Sequence, residues 1–224
     1  MPKSTLTAEQ IVRTAIELLD AEGLDGLNMR GLGKRLDAAA TAMYWHVKSK
    51  DNLVRLAADE VWNEIELPDL DGLDWRAAAV DMATGLHAML TRHPWLVQAL
   101  AGYLHYGPGK SRHDEHLLAV YEAAGLSGAE ADRAAAATFM LALGSAVGAS
   151  ATIALSRRIG VDGGDPEERM RETIAEASAI ATRFPRLRAR LETASADYNA
   201  AAADGSFEFG LATFLDGLEL RLKA

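Results

Sequence analysis

Apolar positions along the chain fall almost everywhere at helical spacing. Ile11, Ala15, Leu18 and Leu19 mark one face of a first helix, since residues three or four apart share a side. Thr7-Ala8-Glu9-Gln10 opens it as a capping box, the Thr7 hydroxyl and Gln10 side chain each meeting an unpaired amide. Gly23 is expected to end it. Leu32, Leu36 and Ala40 form a second seam behind an Asn28 cap, broken at Asp37, and Met43 and Val47 line the next short helix. A fourth helix is predicted from Ser49 through Leu53, Leu56, Ala57 and Val61 to Pro68. Asp74 caps a helix over Trp75–Thr91 with Ala79, Met82, Ala83, Leu86 and Leu90 on one face. His93-Pro94 breaks it, and a shorter helix runs to Gly102.

The second half repeats the pattern. Tyr103–Ser111 is expected to be a loop from its Gly and Pro content, and Arg112–Ala124 a helix closed by Gly125. Ser127-Gly128-Ala129-Glu130 is another capping box, opening the longest apolar segment, to Arg158. As one helix it would span roughly 45 Å. Gly144 and Gly148 stand four apart within it and suit a close helix contact, a bend or a packing notch. A loop over Val161–Glu168 leads to a helix at Asp165-Pro166, Phe184-Pro185 breaks that helix, and Asn199–Gly205 is a further loop. The last helix, Phe207–Leu222, carries Leu211, Phe214, Leu215, Leu218 and Leu222 as an apolar stripe that needs a partner. Strict alternation persists nowhere, so the fold class is all-α.

Composition removes whole classes of function. At 224 residues the chain has ample length for a core of one or two domains. It has no Cys, which excludes disulfides, thiolate metal sites and a cysteine nucleophile. MPKSTLTAEQ lacks an apolar signal core and no run of eighteen apolar residues occurs, so a cytoplasmic protein with no membrane partner is expected. No Glu precedes a His by three residues, and GxSxG, HExxH and Gly-rich phosphate loops are missing. An enzyme is therefore not expected, and no cofactor is assigned. His113 and His116 could share a helix face, but two imidazoles without a third ligand make a weak metal signal, and none is assigned.

Charge changes the picture locally. The net charge is -9, yet Arg30, Lys34, Arg35, Lys48, Lys50 and Arg55 face only Asp37 and Asp51 between Asn28 and Arg55. A basic island in an acidic chain is a candidate phosphate footprint; a solvated helix face is the plainer reading. It coincides with two short helices joined by a tight turn, the helix-turn-helix plan whose second helix enters the DNA major groove.

The run Thr7 to Glu60, carried by the words LTAEQIVRTAIELLDAEGLDGLNMRGLGKRL and MYWHVKSKDNLVRLAADEV, resembles the N-terminal DNA-binding domain of the TetR family of bacterial transcriptional regulators. YWHVKSK, Tyr44–Lys50, is closest to the tetracycline-repressor branch. The resemblance departs at Asp37, where the family commonly has Gly, and at Ala38, which replaces a larger aliphatic residue and leaves that small core underfilled. It implies a helix-turn-helix domain over 1–48, a connecting helix over 49–67, and an effector-binding and dimerisation domain over 68–224.

By position in the family motif, Arg30 is expected to reach a base edge, with Ala40, Thr41 and Tyr44 at the base-facing start of the recognition helix. Tyr44, Trp45, His46 and Lys50 are expected mostly to hold phosphates and register rather than read sequence, and Asn28 and Lys48 complete the expected DNA contacts; Trp45 serves equally well as a packing residue. A homodimer on a palindromic double-stranded operator is implied, with Leu211, Phe214, Leu215, Leu218 and Leu222 at the subunit interface, although such a stripe can also dock within one chain. A small-molecule effector would be held among Met82, Leu86, Met89, Leu100, Tyr103, Leu104, Phe139 and Met140, with His87, His105 and Tyr106 as polar contacts. Where tetracycline repressors place polar ligand contacts, this chain has about Glu66, Met82 and Leu86, so a more apolar effector that releases the DNA is expected. The rival is a DNA-binding or interaction module of the same family without ligand control.

Overall fold

The structure, a computed structural model, describes residues 6–72, 74–161, 165–193 and 205–223. Within them the chain is helical, with no strand. The expected loops over 161–168 and 199–205 fall partly outside, at 162–164 and 199–204.

Three helices make the first unit: α1 (Ala8–Gly26), α2 (Met29–Arg35) and α3 (Ala40–Val47). The Thr7 box forms on both sides, Gln10 N–H to the Thr7 hydroxyl at 3.2 Å and Thr7 N–H to Gln10 Oε1 at 3.1 Å. Gly23 breaks α1 with φ 73° but does not end it; one further turn runs to Gly26 and buries Leu27. Leu18, Leu19, Leu32, Met43 and Val47 close the small core against Leu53 and Val54 of α4 (Lys50–Val61).

That fourth helix stops short of Pro68. A 3₁₀ turn follows at Trp62–Glu64, and Ile65 is extended. The cause is a strap from α7 (Pro108–Ala123): Arg112 donates to the Ile65 carbonyl at 3.3 Å, and His116 bonds the Pro68 carbonyl at 2.7 Å. α7 itself begins four residues before the expected Arg112, with Pro108 in its first turn, where the missing N–H costs nothing.

The larger unit packs α5 (Trp75–Arg92), α6 (Pro94–Gly102) and α7 along α8 (Ala129–Val161). α8 is one continuous helix, so the bend that Gly144 and Gly148 also allowed does not interrupt it. Thr138 meets the Tyr121 hydroxyl within this core, and Ser150 donates to the Pro94 carbonyl at 2.8 Å. α9 (Pro166–Ala181) and α10 (Pro185–Thr193) form a largely exposed arm, and α11 (Ser206–Leu222) returns to pack on α8 and α5.

Candidate nucleic-acid interface and adjoining cleft

α3 has two faces set by its spacing. Ala40, Met43 and Val47 turn inward, with Met43 and Val47 fully buried. Thr41, Tyr44, Trp45 and Lys48, at i, i+3, i+4 and i+7, turn outward with His46 beside them. Trp45 is 79% exposed and Tyr44 43%, so Trp45 is not a packing residue. Two apolar rings held in water beside Lys48 form a surface shaped for something else to cover it. Ala40, expected at the base-facing start, instead leans partly against the core. No side chain caps α3, because Ala39 occupies the cap position.

The turns on either side of α3 are strained in ways that place it. Asp37 takes the left-handed φ of 47°, as its position in place of Gly requires. Gly33 lets the chain fold back: a Cβ there would lie 2.6 Å from the Ala38 carbonyl oxygen. An open groove of about 430 Å³ bounded by Leu6, Gln10, Arg13, Thr14, Leu36, Asp37 and Ala38 lies beside this turn. After α3, Lys48 sits at φ 64° and ψ -48° at the centre of a γ-turn closed by Ser49 N–H on the Val47 carbonyl at 2.7 Å. This tight reversal leaves Lys48 exposed at the end of α3, its ammonium on the Trp45 carbonyl at 3.1 Å.

The remaining expected DNA contacts separate by what already occupies them. Arg30 is exposed and paired with none of the described residues. Asn28 commits both ends of its amide to the backbone: Oδ1 accepts from Gly31 N–H at 2.7 Å and Nδ2 donates to Gly26 at 3.0 Å. Its role in the structure is the cap of α2. Lys50 is half-buried and donates to the Leu24 carbonyl at 3.3 Å, closing the end of α1. Within the basic island Arg35 pairs with Glu22 at 2.7 Å, and Arg55 donates to the Tyr106 carbonyl at 3.1 Å and lies over that ring. Arg30, Lys34 and Lys48 remain as cations facing solvent.

A polar junction joins this unit to the rest. His93 is 3% exposed, its Nδ1 2.7 Å from Asp20 of α1 and its Nε2 3.1 Å from Glu64 of the 3₁₀ turn. Burial pushes the imidazole pKa down, but the hydrogen bonds and charges of Asp20 and Glu64 outweigh it, and the pKa stands above its ordinary value. Trp95 donates to the same Asp20 oxygen at 2.8 Å, Arg92 pairs with Glu64, and Arg157 from α8 donates to the Asp20 carbonyl. A second tie holds α4 to α7: Lys110 N–H meets Asp59 Oδ1 at 3.0 Å. A Cβ at Gly109 would stand 2.3 Å from the Asp59 carbonyl, so Gly is needed there for close approach.

The expected effector residues do not gather into one site. Met82, Leu86 and Met89 are fully buried core of α5. His87 stacks on Phe207 at 4.2 Å, its pKa lowered by burial against the pull of Glu208. Leu100 and Tyr103 pack partly against the core, while Leu104 and Met140 are 81% and 63% exposed. Tyr106 covers Arg55, and both His105 ring nitrogens are buried without a partner among the described residues. Phe139 alone of the set lines a cleft of about 280 Å³ between α7 and α8, with Lys110, His113, Asp114, Leu117, Leu118, Asp132, Ala135 and Ala136.

Sequence reasoning weighed His113 only as a metal ligand and missed that it lines this cleft with Lys110 and Asp114. His113 and His116 diverge: His116 straps Pro68, whereas His113 packs against Trp62 with ring centroids 4.9 Å apart. No group of three or more metal-ligating side chains gathers among the described residues. Desolvation alone would raise the pKa of Asp114; His113 and Lys110 hold it below the ordinary carboxylate value. The expected interface stripe also turns inward. Leu211 and Leu215 are buried in their own chain, and Phe214, Leu218 and Leu222 pack partly against it.

Comparison with known proteins agrees with this architecture. Residues 11–57 match the family of bacterial regulatory proteins called tetR, and residues 67–222 match the tetracyclin repressor-like C-terminal domain. An HTH-type transcriptional regulator of Saccharopolyspora erythraea is 38% identical over 143 residues, 64% of this chain and 61% of that protein. The HTH-type transcriptional repressor DrrR1 of Streptomyces coeruleorubidus is 32% identical over 222 residues, 98% of this chain and 79% of that protein. Among solved structures, the Streptomyces coelicolor TetR family protein ActR in complex with actinorhodin is similar with a TM-score of 0.74 and 26% identity, covering 96% of each chain. The relatives are transcriptional regulators, and the chain belongs to the TetR family of helix-turn-helix transcriptional regulators.

Proposed function

We propose that this regulator is a repressor that binds a palindromic operator as a homodimer and is released by a small molecule held in the α7–α8 cleft. The observation that carries the dimer is an uncovered apolar stripe along α8. Ala136, Met140, Gly144, Val147, Gly148, Ala151 and Leu155 recur at helical spacing and are exposed. A Cβ added at Gly144 or Gly148 meets nothing within 4 Å, so this notch faces outward. α11 adds exposed Phe209, Gly217 and Leu220 on the side opposite its docked face. Two helices per subunit with small and large apolar residues on one side suit an isologous four-helix contact.

α8 is also long and apolar enough by composition to cross a membrane. Ala131, Ala134, Thr138, Ala142, Ala146 and Ser150 on its other side are already buried against the chain's own helices. A partner helix satisfies both sides; a bilayer would have to strip one.

In each subunit Arg30 would read a base edge, its guanidinium matching guanine O6 and N7, while Thr41, Tyr44, Trp45 and Lys48 lie along the groove wall. Sedimentation of the wild type and of Val147→Glu tests the assembly. The wild type should run as a dimer, and the variant as a folded monomer with operator affinity reduced at least tenfold. A wild-type monomer that binds its own promoter no better than random duplex would refute the reading.

A further inference from the structure

α8 does more than carry the exposed stripe. Near its C-terminal end Arg157, half-buried, reaches across to the DNA-binding unit, and its Nη2 donates to the Asp20 carbonyl of α1. That carbonyl lies in the last regular turn before Gly23, whose φ of 73° and ψ of -174° break the helix. Carbonyls at such an end lack partners in their own helix, and a guanidinium there meets both their lone pairs and the negative pole of the helix dipole. Here the cation comes from another helix. The fit is close: a Cβ at Gly23 would stand 3.1 Å from Arg157 Nη1, so the bend and the guanidinium share one small space.

A change of angle at this bend would be felt by the recognition helix. Beyond it, the final turn of α1 is tied forward to the elements that hold α3, through Leu27 in the small core and Lys50 Nζ on the Leu24 carbonyl at 3.3 Å. Before it, the Asp20 side chain is gripped by His93 and Trp95 at 2.7 and 2.8 Å. Those two bonds hold α1 to the start of α6, whereas Arg157 holds it to the helix that bears the exposed stripe. Leu155 and Val147 of that stripe precede Arg157 on the same continuous helix, about 3 Å and 15 Å back along its axis. Stripe and clamp therefore move as one body.

We propose that Arg157 is a positioning residue for DNA recognition: by fixing α1 against α8 at the Gly23 bend, it sets the separation of the two recognition helices and hence the half-site spacing that the dimer prefers. This rests on the dimer along α8. Each added base pair displaces a half-site by about 3.4 Å and turns it by roughly 35°. A dimer whose two units are held at a fixed angle accepts one spacing and loses affinity on its neighbours.

Operator duplexes, taken from the footprint on its own promoter and altered to bring the half-sites one base pair closer or farther apart, read that preference by anisotropy, with an isolated half-site as control. The wild type should favour one spacing about tenfold, the size of one hydrogen bond to a charged group. Arg157→Met keeps the stem and removes the donors; it should flatten the preference to about twofold or less and bind the isolated half-site as before. Arg157→Lys can still donate to the Asp20 carbonyl but lacks the second nitrogen beside Gly23, and should fall between, at about threefold. Because the chain has no Cys, a spin label on Lys34→Cys reports the distance between the two units directly. Its distribution should be narrow in the wild type and broad in Arg157→Met. Circular dichroism and sedimentation check that each variant is a folded dimer; should the methionine variant fail there, the lysine variant decides. A spacing preference that survives intact in the folded variants, or an equal loss on every duplex including the half-site, would overturn the proposal. A wild type that is monomeric or indifferent to spacing would instead overturn the dimeric reading beneath it.

Discussion

His93 offers the sharpest test of how the two halves of the chain are held together. The perturbation is His93→Gln, which keeps a hydrogen-bonding amide but removes the charge and cannot bridge two carboxylates. In the wild type the ring spans Asp20 at 2.7 Å and Glu64 at 3.1 Å with a side chain only 4% exposed, whereas the two carboxylates are each 34% exposed. Hydrogen bonds to charged partners contribute about 1.5–3 kcal/mol each. Partial hydration of the carboxylates lowers that, and the glutamine restores one bond, so the net loss should be about 2 kcal/mol near pH 6.

The sign of the pH dependence follows from the raised pKa. Because folding lifts the imidazole pKa above the unfolded value of about 6.5, protonation favours the folded chain. The contribution is complete below about pH 6.5 and fades as pH rises through the folded pKa. Urea midpoints of the wild type and variant, taken from pH 6 to pH 9 at one protein concentration, isolate this term, since other titrating groups cancel in the difference. The gap should shrink with rising pH to about 1 kcal/mol or less, the worth of one neutral hydrogen bond. A gap independent of pH, or one widening toward pH 9, would refute a charged His93 between Asp20 and Glu64.

Other residues give simpler expectations. Arg30→Ala should cost about 1–3 kcal/mol on the operator and relax preference at one base pair, measured by anisotropy over single-base operator variants; equal losses on random duplex would exclude base reading. Lys48→Ala should weaken all sequences alike and reduce the slope of log affinity against log salt by about 0.9. Between α2 and α3 two substitutions, one at the end of α2 and one in the turn, should move urea midpoints oppositely. Asp37→Gly relieves the φ of 47° and should stabilise by about 1 kcal/mol. Gly33→Ala drives a Cβ to 2.6 Å from the Ala38 carbonyl and should destabilise by about 1–3 kcal/mol, with operator binding lost alongside.

What was legible in the sequence is what local chemistry fixes. The Thr7 box, the Asn28 cap and the left-handed Asp37 each follow from a side chain and its near neighbours, and each is in place. Long-range packing decided the rest. Pro108-Gly109 carries loop composition, but the glycine is there so that α7 can start against Asp59, a partner fifty residues away. Met82 and Leu86 show why an apolar stripe cannot separate pocket from core: both are fully buried in α5. Lys110 and Asp114 were passed over as cleft residues, and His113 was weighed only as a metal ligand, for the converse reason: charge on a helix usually marks solvent, and here it borders a cleft. The terminal helix followed the same logic. Its richest face, with Leu211 and Leu215, docked at home and left Phe209 and Leu220 outside.

The 3₁₀ turn at Trp62–Glu64 gives the proposed switch a route that needs few contacts. Its first residue packs on His113 at the cleft, and its third holds His93, which holds Asp20 of α1. A parallel path runs from the cleft residue Lys110 through its backbone to Asp59 of α4, the helix whose Leu53 and Val54 complete the core behind α3. A molecule entering between α7 and α8 therefore touches two elements that both end on the DNA-binding unit. It can move them only by the difference between its affinities for the two arrangements, and DNA must weaken its binding by the same factor. The His93 junction opposes that movement, because sliding α1 against the 3₁₀ turn separates an imidazolium from one of its carboxylates. Loosening it by substitution or by raising the pH lowers the work the effector must do, so release should then require less effector than in the intact protein at pH 6.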